Sequence, residues 1–353
     1  SAALKIAVER CLSKVPSGEK CCSSAGANCG EAGTDDMHSW DTSLVTDMSE
    51  LFANKGSFNQ DISGWNVSKV TSMRSMFMSA GSFNQDLGRW DVSQVTDMGN
   101  IFKDAGAFNQ DISGWNVSKV TDMNHMFCRV DSFNHDLSRW DVSKVTDMHV
   151  MFYDARAFNQ DLSGWDVSEV KDMRWMFRYA VAFNQDLSGW NVSKVANMDG
   201  MFQSATAFNQ DISGWDVSKV TYMAEMFMNA RSFSVNITGW VPASTVNTGN
   251  MFSGATEFIN SYTNCGYDSS DTSVCTVATY PASSAMYDGP PGAWVRGTFS
   301  GCSASTTALP FPSSGALKIA VERCLAKVPS GEKCCSSAGA NCGVACQTDM
   351  HSW

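Results

Sequence analysis

The stretch 58–80 reads FNQDISGWNVSKVTSMRSMFMSA, and its pattern returns along the chain at one fixed step. Its tryptophan belongs to a series of nine, Trp40, Trp65, Trp90, Trp115, Trp140, Trp165, Trp190, Trp215 and Trp240, each 25 residues from the next without insertion or deletion. A fixed period of this size is the signature of stacked, near-identical units. The chain is therefore read as a solenoid, in which each unit contacts only its neighbours.

Within the unit, Ile62, Trp65 and Val67 have the L-x-x-L-x-L spacing of a leucine-rich repeat. Trp65 and Val67 alternate with Asn66 and Ser68, which predicts a short strand with one buried face. Val70, Met73, Met76, Phe77 and Ala80 follow at steps of three, three, one and three, which predicts one face of a helix. Ser68 or Thr71 is its expected N-cap. Nine such units would form a right-handed stack with a parallel sheet about 40 Å long, at about 4.8 Å per strand. The expected fold class is thus an α/β solenoid of nine strand-helix units. Each unit contributes Trp, two Phe and usually two Met to the core.

Two polar columns travel with the apolar ones. Asp61, Asp86, Asp111, Asp136, Asp161, Asp186 and Asp211, closed by Asn236, stack like charges at strand spacing. Hydrogen bonds from backbone N–H groups in the turn before the strand are the expected compensation; a line of calcium ions is the alternative. Asn59, Asn84, Asn109, Asn134, Asn159, Asn184 and Asn209 are expected to form an amide ladder. The column after the buried Phe varies freely (Ala53, Met78, Lys103, Cys128, Tyr153, Arg178, Gln203, Met228, Ser253), which suits an exposed position.

The ends carry a second period. Ser1–Trp40 aligns with Ser314–Trp353, with 34 of 40 positions identical. The chain divides into a Cys-rich helical cap (1–33), the repeats (34–258), a C-terminal cap and Ser/Thr/Pro-rich junction (259–313) and a second copy of the first cap (314–353). The expectation is one tile of a longer tandem array. Ala3–Lys14 is predicted to be an amphipathic helix covering the first unit.

Of 13 cysteines, only Cys128 lies inside the repeats. The others, Cys11, Cys21, Cys22, Cys29, Cys265, Cys275, Cys302, Cys324, Cys334, Cys335, Cys342 and Cys346, are disulfide candidates in an oxidising compartment, since their spacing lacks the paired C-x-x-C arms of a zinc site. Two bridges are expected within the first cap and one between Cys265 and Cys275. Cys302 is expected to reach the cap that follows. Asn66, Asn116, Asn191 and Asn236 head N-glycosylation sequons, three of them in the expected strand on the concave face.

A net charge of −11 argues against a nucleic-acid partner, and no apolar run is long enough for a membrane span. The five histidines do not suggest a metal site, His125 and His149 falling at non-equivalent positions of successive units. Recurrent Asp residues do not make a singular catalytic pair, and no nucleophile-elbow, zincin or phosphate-loop motif is found. No enzyme activity and no resident cofactor are expected.

The unit F-N-Q-D-I-S-G-W-N-V-S-K-V-T-x-M-x-x-M-F resembles the BspA-like leucine-rich-repeat surface proteins over about 40–258. The cap L-K-I-A-V-E-R-C-L with its Cys-rich loop is similar to algal and protist members. The resemblance implies a location outside the cell or on its surface and an adhesive or structural role, with no catalytic residues to carry over. The first expectation is a structural subunit of an extracellular filament, partnered with itself head to tail or in tandem. The alternative is adhesion, with the concave sheet binding a surface glycan or protein.

Overall fold

The computed structural model describes residues 1–23, 29–30, 33–264, 291 and 294–296. Helix α1 (Ala2–Lys14) opens the chain. A single 3-10 turn, Met37–Ser39, leads into the repeats. Nine successive coils follow to residue 255, then α2 (Thr256–Ser261) and a two-stranded antiparallel pair, β1 (Tyr262–Asn264) with β2 (Trp294–Arg296).

The coils stack as a solenoid, but their interior is not strand plus helix. Neither element occurs between the 3-10 turn and α2. The segment 70–80, expected to be helical, is where neighbouring coils pair. Parallel bridges run Asp47–Ser72–Asp97–Asp122–Asp147–Asp172–Asn197–Tyr222–Asn247, one residue per coil. From there, alternate N–H groups point to the next coil: Met73 donates to the Asp97 carbonyl (3.0 Å), Ser75 to Gly99 (2.8 Å), Phe77 to Ile101 (2.8 Å) and Ser79 to Lys103 (2.7 Å). The intervening N–H groups close turns within the coil, Met76 to Met73, Met78 to Ser75 and Ala80 to Phe77. The expected strand at Trp65–Val67 lies instead between two corner turns, Trp65 N–H to Ile62 and Val70 N–H to Val67.

This explains the misleading apolar spacing. A three-residue step is the period of a helix face, and it is also the distance between the two ends of a β-turn. Ile62 and Trp65, Val67 and Val70, Met73 and Met76, and Phe77 and Ala80 are all turn ends, all turned inward and buried. A helix would need N–H(i) to O(i−4) bonds, and here every second donor is committed to the neighbouring coil. Two positions in each coil also have positive φ, as at Ser75 (+55°) and Ser79 (+58°), which ends any helical run.

The core is three aromatic columns. Phe52, Phe77, Phe102 and their successors stack at ring-centroid distances of 5.5–6.0 Å, beginning with Phe52–Phe77 at 5.5 Å and Phe102–Phe127 at 6.0 Å. The column from Phe58 to Phe258 runs beside it, and the two touch within each coil, as in Phe77–Phe83 at 4.1 Å. The nine tryptophans form the third column, each at most 8% exposed. From Trp65 on, each indole also spends its donor on the backbone 28 residues earlier: Trp65 Nε1–H donates to the Met37 carbonyl (2.7 Å), and Trp165 Nε1–H to Leu137 (3.0 Å), whereas Trp40 donates to Asp35 (2.7 Å).

The polar columns behave as turn chemistry. Each Asp of the 61–211 series accepts the N–H two residues on, as Asp136 does from Ser138 (2.8 Å), and Asn236 does the same from Thr238 (3.2 Å). The Asn ladder also forms, though it couples side chain to backbone. Asn59 Oδ1 accepts the Asn84 N–H (2.9 Å) and the Gln85 side-chain amide (3.1 Å), and the pattern repeats up the stack.

Both ends are covered. The buried side of α1 is Ala7, Val8, Cys11 and Leu12, with Leu4 partly buried. The Cys11–Cys21 disulfide ties α1 to the segment that follows, and Cys22–Cys29 closes that segment on itself. Gly18, at φ +86°, brings this loop onto the first coil, where a Cβ would lie 3.0 Å from Gln60 Cβ and 3.2 Å from the Phe58 ring. At the other end Tyr262 stacks on Phe258 (4.5 Å), and Trp294 stands edge-on to Phe252 (5.2 Å) and Phe258 (5.4 Å). Cys265, Cys275, Cys302, Cys324, Cys334, Cys335, Cys342 and Cys346, with the second cap copy 314–353, lie outside the described residues.

Two outcomes follow for stability. Trp165→Ala should cost about 3–5 kcal/mol as a large-to-small core change, and Trp165→Phe roughly 0.5–1.5 kcal/mol for the lost indole hydrogen bond, the Leu137 carbonyl keeping the Trp140 N–H (3.1 Å), both read from urea unfolding. Hydrogen bonds from the serine two residues on hold the carboxyls of Asp61, Asp111, Asp136, Asp186 and Asp211 below their ordinary 3.8. A folded pKa below the unfolded one means stability that is complete above 3.8 and lost as pH falls through the lower folded values. Replacing these five with Asn keeps the acceptor, as Asn236 does, and removes the titration. The acid-unfolding midpoint should then move to lower pH.

Candidate recognition surface

Most registers of the coil are filled by core side chains or turn-forming polar residues. The variable ones cluster in the ladder segment. In the coil of Trp165 they are Asp172, Arg174, Trp175, Arg178 and Tyr179, and the same registers four coils earlier hold Ser72, Arg74, Ser75, Met78 and Ser79. The ladder alternates its backbone bonds, so these side chains are set out at coil spacing on one face.

The face is chemically graded. Near its start, Arg74 Nη1 reaches Asp97 (3.4 Å) and Asp122 (3.0 Å), spanning two coils. In the middle, His125 and His149 stand edge to face at 4.7 Å. His149 Nδ1 lies 2.6 Å from Asp147 Oδ1, and His125 Nδ1 3.1 Å from Asn124 Oδ1. These histidines sit in adjacent coils, brought together across one ladder step. Burial, with His149 beside it, lowers the His125 pKa to about 4. Next come Tyr153, Trp175, Arg178 and Tyr179. The Arg178 guanidinium lies 5.4 Å from the Trp175 ring, 5.7 Å from Tyr153 and 5.0 Å from Tyr179. Arg129 pairs with Asp104 (3.3 Å) and Arg174 with Asp172 (3.3 Å). Burial raises the Asp199 carboxyl, whose Oδ1 accepts the Ala224 N–H (2.7 Å). Trp175, Val181 and Tyr222 are among the few large apolar side chains left exposed.

Several of these side chains sit at strained backbone positions. Val150 (φ +61°), Trp175 (+56°) and Tyr179 (+61°) occupy the left-handed region, which costs a side-chain-bearing residue about 1–2 kcal/mol relative to the right-handed one. Glycine would avoid that cost, yet in these two registers it appears only at Gly200 and Gly254. Both registers have positive φ in every coil, so the cost belongs to the coil geometry and recurs whatever side chain is carried.

The residues singled out from sequence fall elsewhere. Asn66, Asn116, Asn191 and Asn236 are exposed, and each Oδ1 caps its own turn, as Asn66 does from Ser68 N–H (3.1 Å) and Oγ–H (2.7 Å). They lie in the corner segment, away from the ladder, which corrects the expected place of Asn66, Asn116 and Asn191 on a concave strand. The column from Ala53 to Ser253 is half-buried, not exposed, because coils on both sides cover it; Cys128 and Gln203 within it are buried. Burial pushes the Cys128 thiol up to about 12. The sulfurs of Cys11, Cys21 and Cys22 lie within 4.8 Å of one another, as adjoining disulfides require. The aromatic–arginine cluster was not foreseen. Its sequence signal was Trp175, the one tryptophan of the repeats off the 25-residue lattice.

A family described as "Mycoplasma protein of unknown function, DUF285" matches residues 21–131, 110–202 and 161–265, together well over half of the chain. The chain belongs to this family. The overlapping matches agree with a repeat protein whose units are interchangeable. No curated protein matches. Among solved structures, a chain described as "Crystal structure of TLR13-ssRNA13 complex" is similar over 61% of this chain and 44% of its own, at 10% identity and a TM-score of 0.22. The chain thus spans less than half of that chain's length, and a likeness this distant carries no argument. No described helix is long and apolar enough to cross a membrane.

The His125 environment yields a pH signature. His149, Lys103, Asp147 and Arg174 face it, and its folded pKa of about 4 lies below the ordinary 6.5. The unfolded state then binds more protons between those values, so stability should fall as pH drops from 6.5 towards 4. His125→Asn, which copies Asn100 in the same register, should flatten that limb in thermal melts.

Proposed function

We propose that this member of the family is a recognition module of the cell surface or extracellular space, which engages its partner through the ladder face. One observation carries the reading: variation between coils is concentrated on that face, and it includes the exposed Trp175 and the half-buried Tyr153 and Tyr179. A purely structural stack gains nothing from such variety. Trp, Tyr and Arg are also the residues that dominate binding energy at interfaces. The two disulfides of the cap fit an oxidising compartment. No catalytic constellation or cofactor enters this reading.

A second reading is favoured by the copy of Ser1–Trp40 at Ser314–Trp353. In it the chain is a structural subunit of an extracellular filament, with solenoids joined in tandem or head to tail. Contacts of that kind grow open fibres when they do not close. Electron microscopy of native material separates the two, since short isolated particles would end the filament reading.

For the recognition reading, the face can be made uniform. The residues at 149, 150, 153, 154, 174, 175, 178 and 179 are replaced by those at the registers of Arg74, Ser75, Met78 and Ser79. The intact and uniform chains are then compared for binding to a panel of fixed bacterial, algal and animal cells by flow cytometry. Loss of binding by about tenfold or more, with the melting temperature retained, is expected. Equal binding by the uniform chain would sink the reading.

A further inference from the structure

In its register Trp175 follows Glu50, Ser75, Asn100, His125 and Val150 and precedes Gly200, the one member of the column without a side chain. A Cβ on Gly200 would come within 2.6 Å of Trp175 Cδ1, 3.0 Å of its Nε1 and 3.2 Å of Gln203 Oε1. The edge of the indole therefore rests in the space that a side chain at 200 would fill, over bare backbone. Trp175 is still 39% exposed. At the foot of this platform Gln203 is only 5% exposed, and its Oε1 has no hydrogen-bond partner. Its amide nitrogen reaches nothing better than Met228 Sδ at 3.4 Å. One coil earlier, Arg178 is held among three rings with its buried Nε also unpartnered.

Buried polar atoms normally find partners, and an unmet one is costly. Here an acceptor and a donor are left unmet beside an exposed aromatic face. An anion would satisfy only the donor, and would meet the carboxyl of Asp199, which flanks Gly200 and already feels the charges of Glu225 and Asp172, with Arg174 alone opposing them. A hydroxylated ring supplies both donors and acceptors, and its axial C–H face is apolar enough to lie on an indole.

We propose that Trp175, Arg178 and Gln203 form a subsite for a neutral hexopyranose of a glycan, the sugar's C–H face on the indole and its hydroxyls against the guanidinium and the Gln203 oxygen. This rests on the recognition reading above and names the chemistry of its partner. Gly200 is the specificity element, because it gives the indole its seat.

The test uses the intact chain on a printed panel of neutral gluco-, manno- and galacto-oligosaccharides, with heparin and gelatin as acidic and peptide surfaces. Two variants accompany it. Trp175→Ala removes the platform outside the core. Gly200→Asn fills the seat, and the backbone accepts it because Asn100 holds the same register at φ +59°. Saturable binding to a neutral oligosaccharide is expected, weaker by about tenfold or more in both variants, with unchanged melting temperatures. Binding to heparin alone, or to no saccharide, overturns the subsite, as does full binding by Trp175→Ala. If gelatin is bound and the uniform-face chain loses that binding, the recognition reading stands while the sugar subsite falls.

Discussion

Everything in this solenoid depends on where alternate backbone donors point. In the ladder segment, half of the N–H groups close turns inside their own coil and half go to the next one. A coil alone would leave that second half unsatisfied, and buried unpaired donors are costly. The indole and asparagine ladders follow the same rule, each side chain bonding to the backbone of an adjacent coil. Cohesion is therefore a nearest-neighbour property, and the caps exist to finish the two coils that have only one neighbour. At the N-terminal end α1 and the Gly18 loop do this, and at the other Tyr262 and Trp294 close the phenylalanine columns.

The sequence made the period, the core and the turn-capping Asp column readable, because these rest on residue identity. Trp, Phe and Met recur where the interior needs volume, and Asp or Asn recurs where a turn needs an acceptor. Local conformation was not readable. The step from Val70 to Ala80 fits a helix face and a chain of turns equally, and only the destination of the Ser75 and Ser79 donors separates them. That destination lies 24 residues away in sequence, beyond the reach of a local pattern. A helical reading also gives no reason for Arg174, Trp175 and Tyr179 to share one surface, which follows only once alternate donors are seen to pair coil with coil. His125 and His149 were likewise set apart by 24 residues of sequence and joined by a single ladder step.

Stability and variety are allotted to different registers. The aromatic and turn registers allow almost no substitution, and the stack gains its strength from that uniformity. The two left-handed registers of each coil tolerate side chains at an energetic cost, and the chain bears that cost repeatedly. The uniform part acts as a rigid carrier on which the variable part is displayed, with spacing fixed by the backbone.

The unbroken 25-residue spacing also governs how such a gene can change length. A duplication of one whole period inserts a coil whose donors, rings and amides meet ready partners on both sides. A duplication of any other length leaves a coil out of step with its neighbours and is eliminated by misfolding. Growth and shrinkage in whole units, each arriving with its own set of displayed side chains, would let the repertoire of the face diversify while the scaffold stays the same.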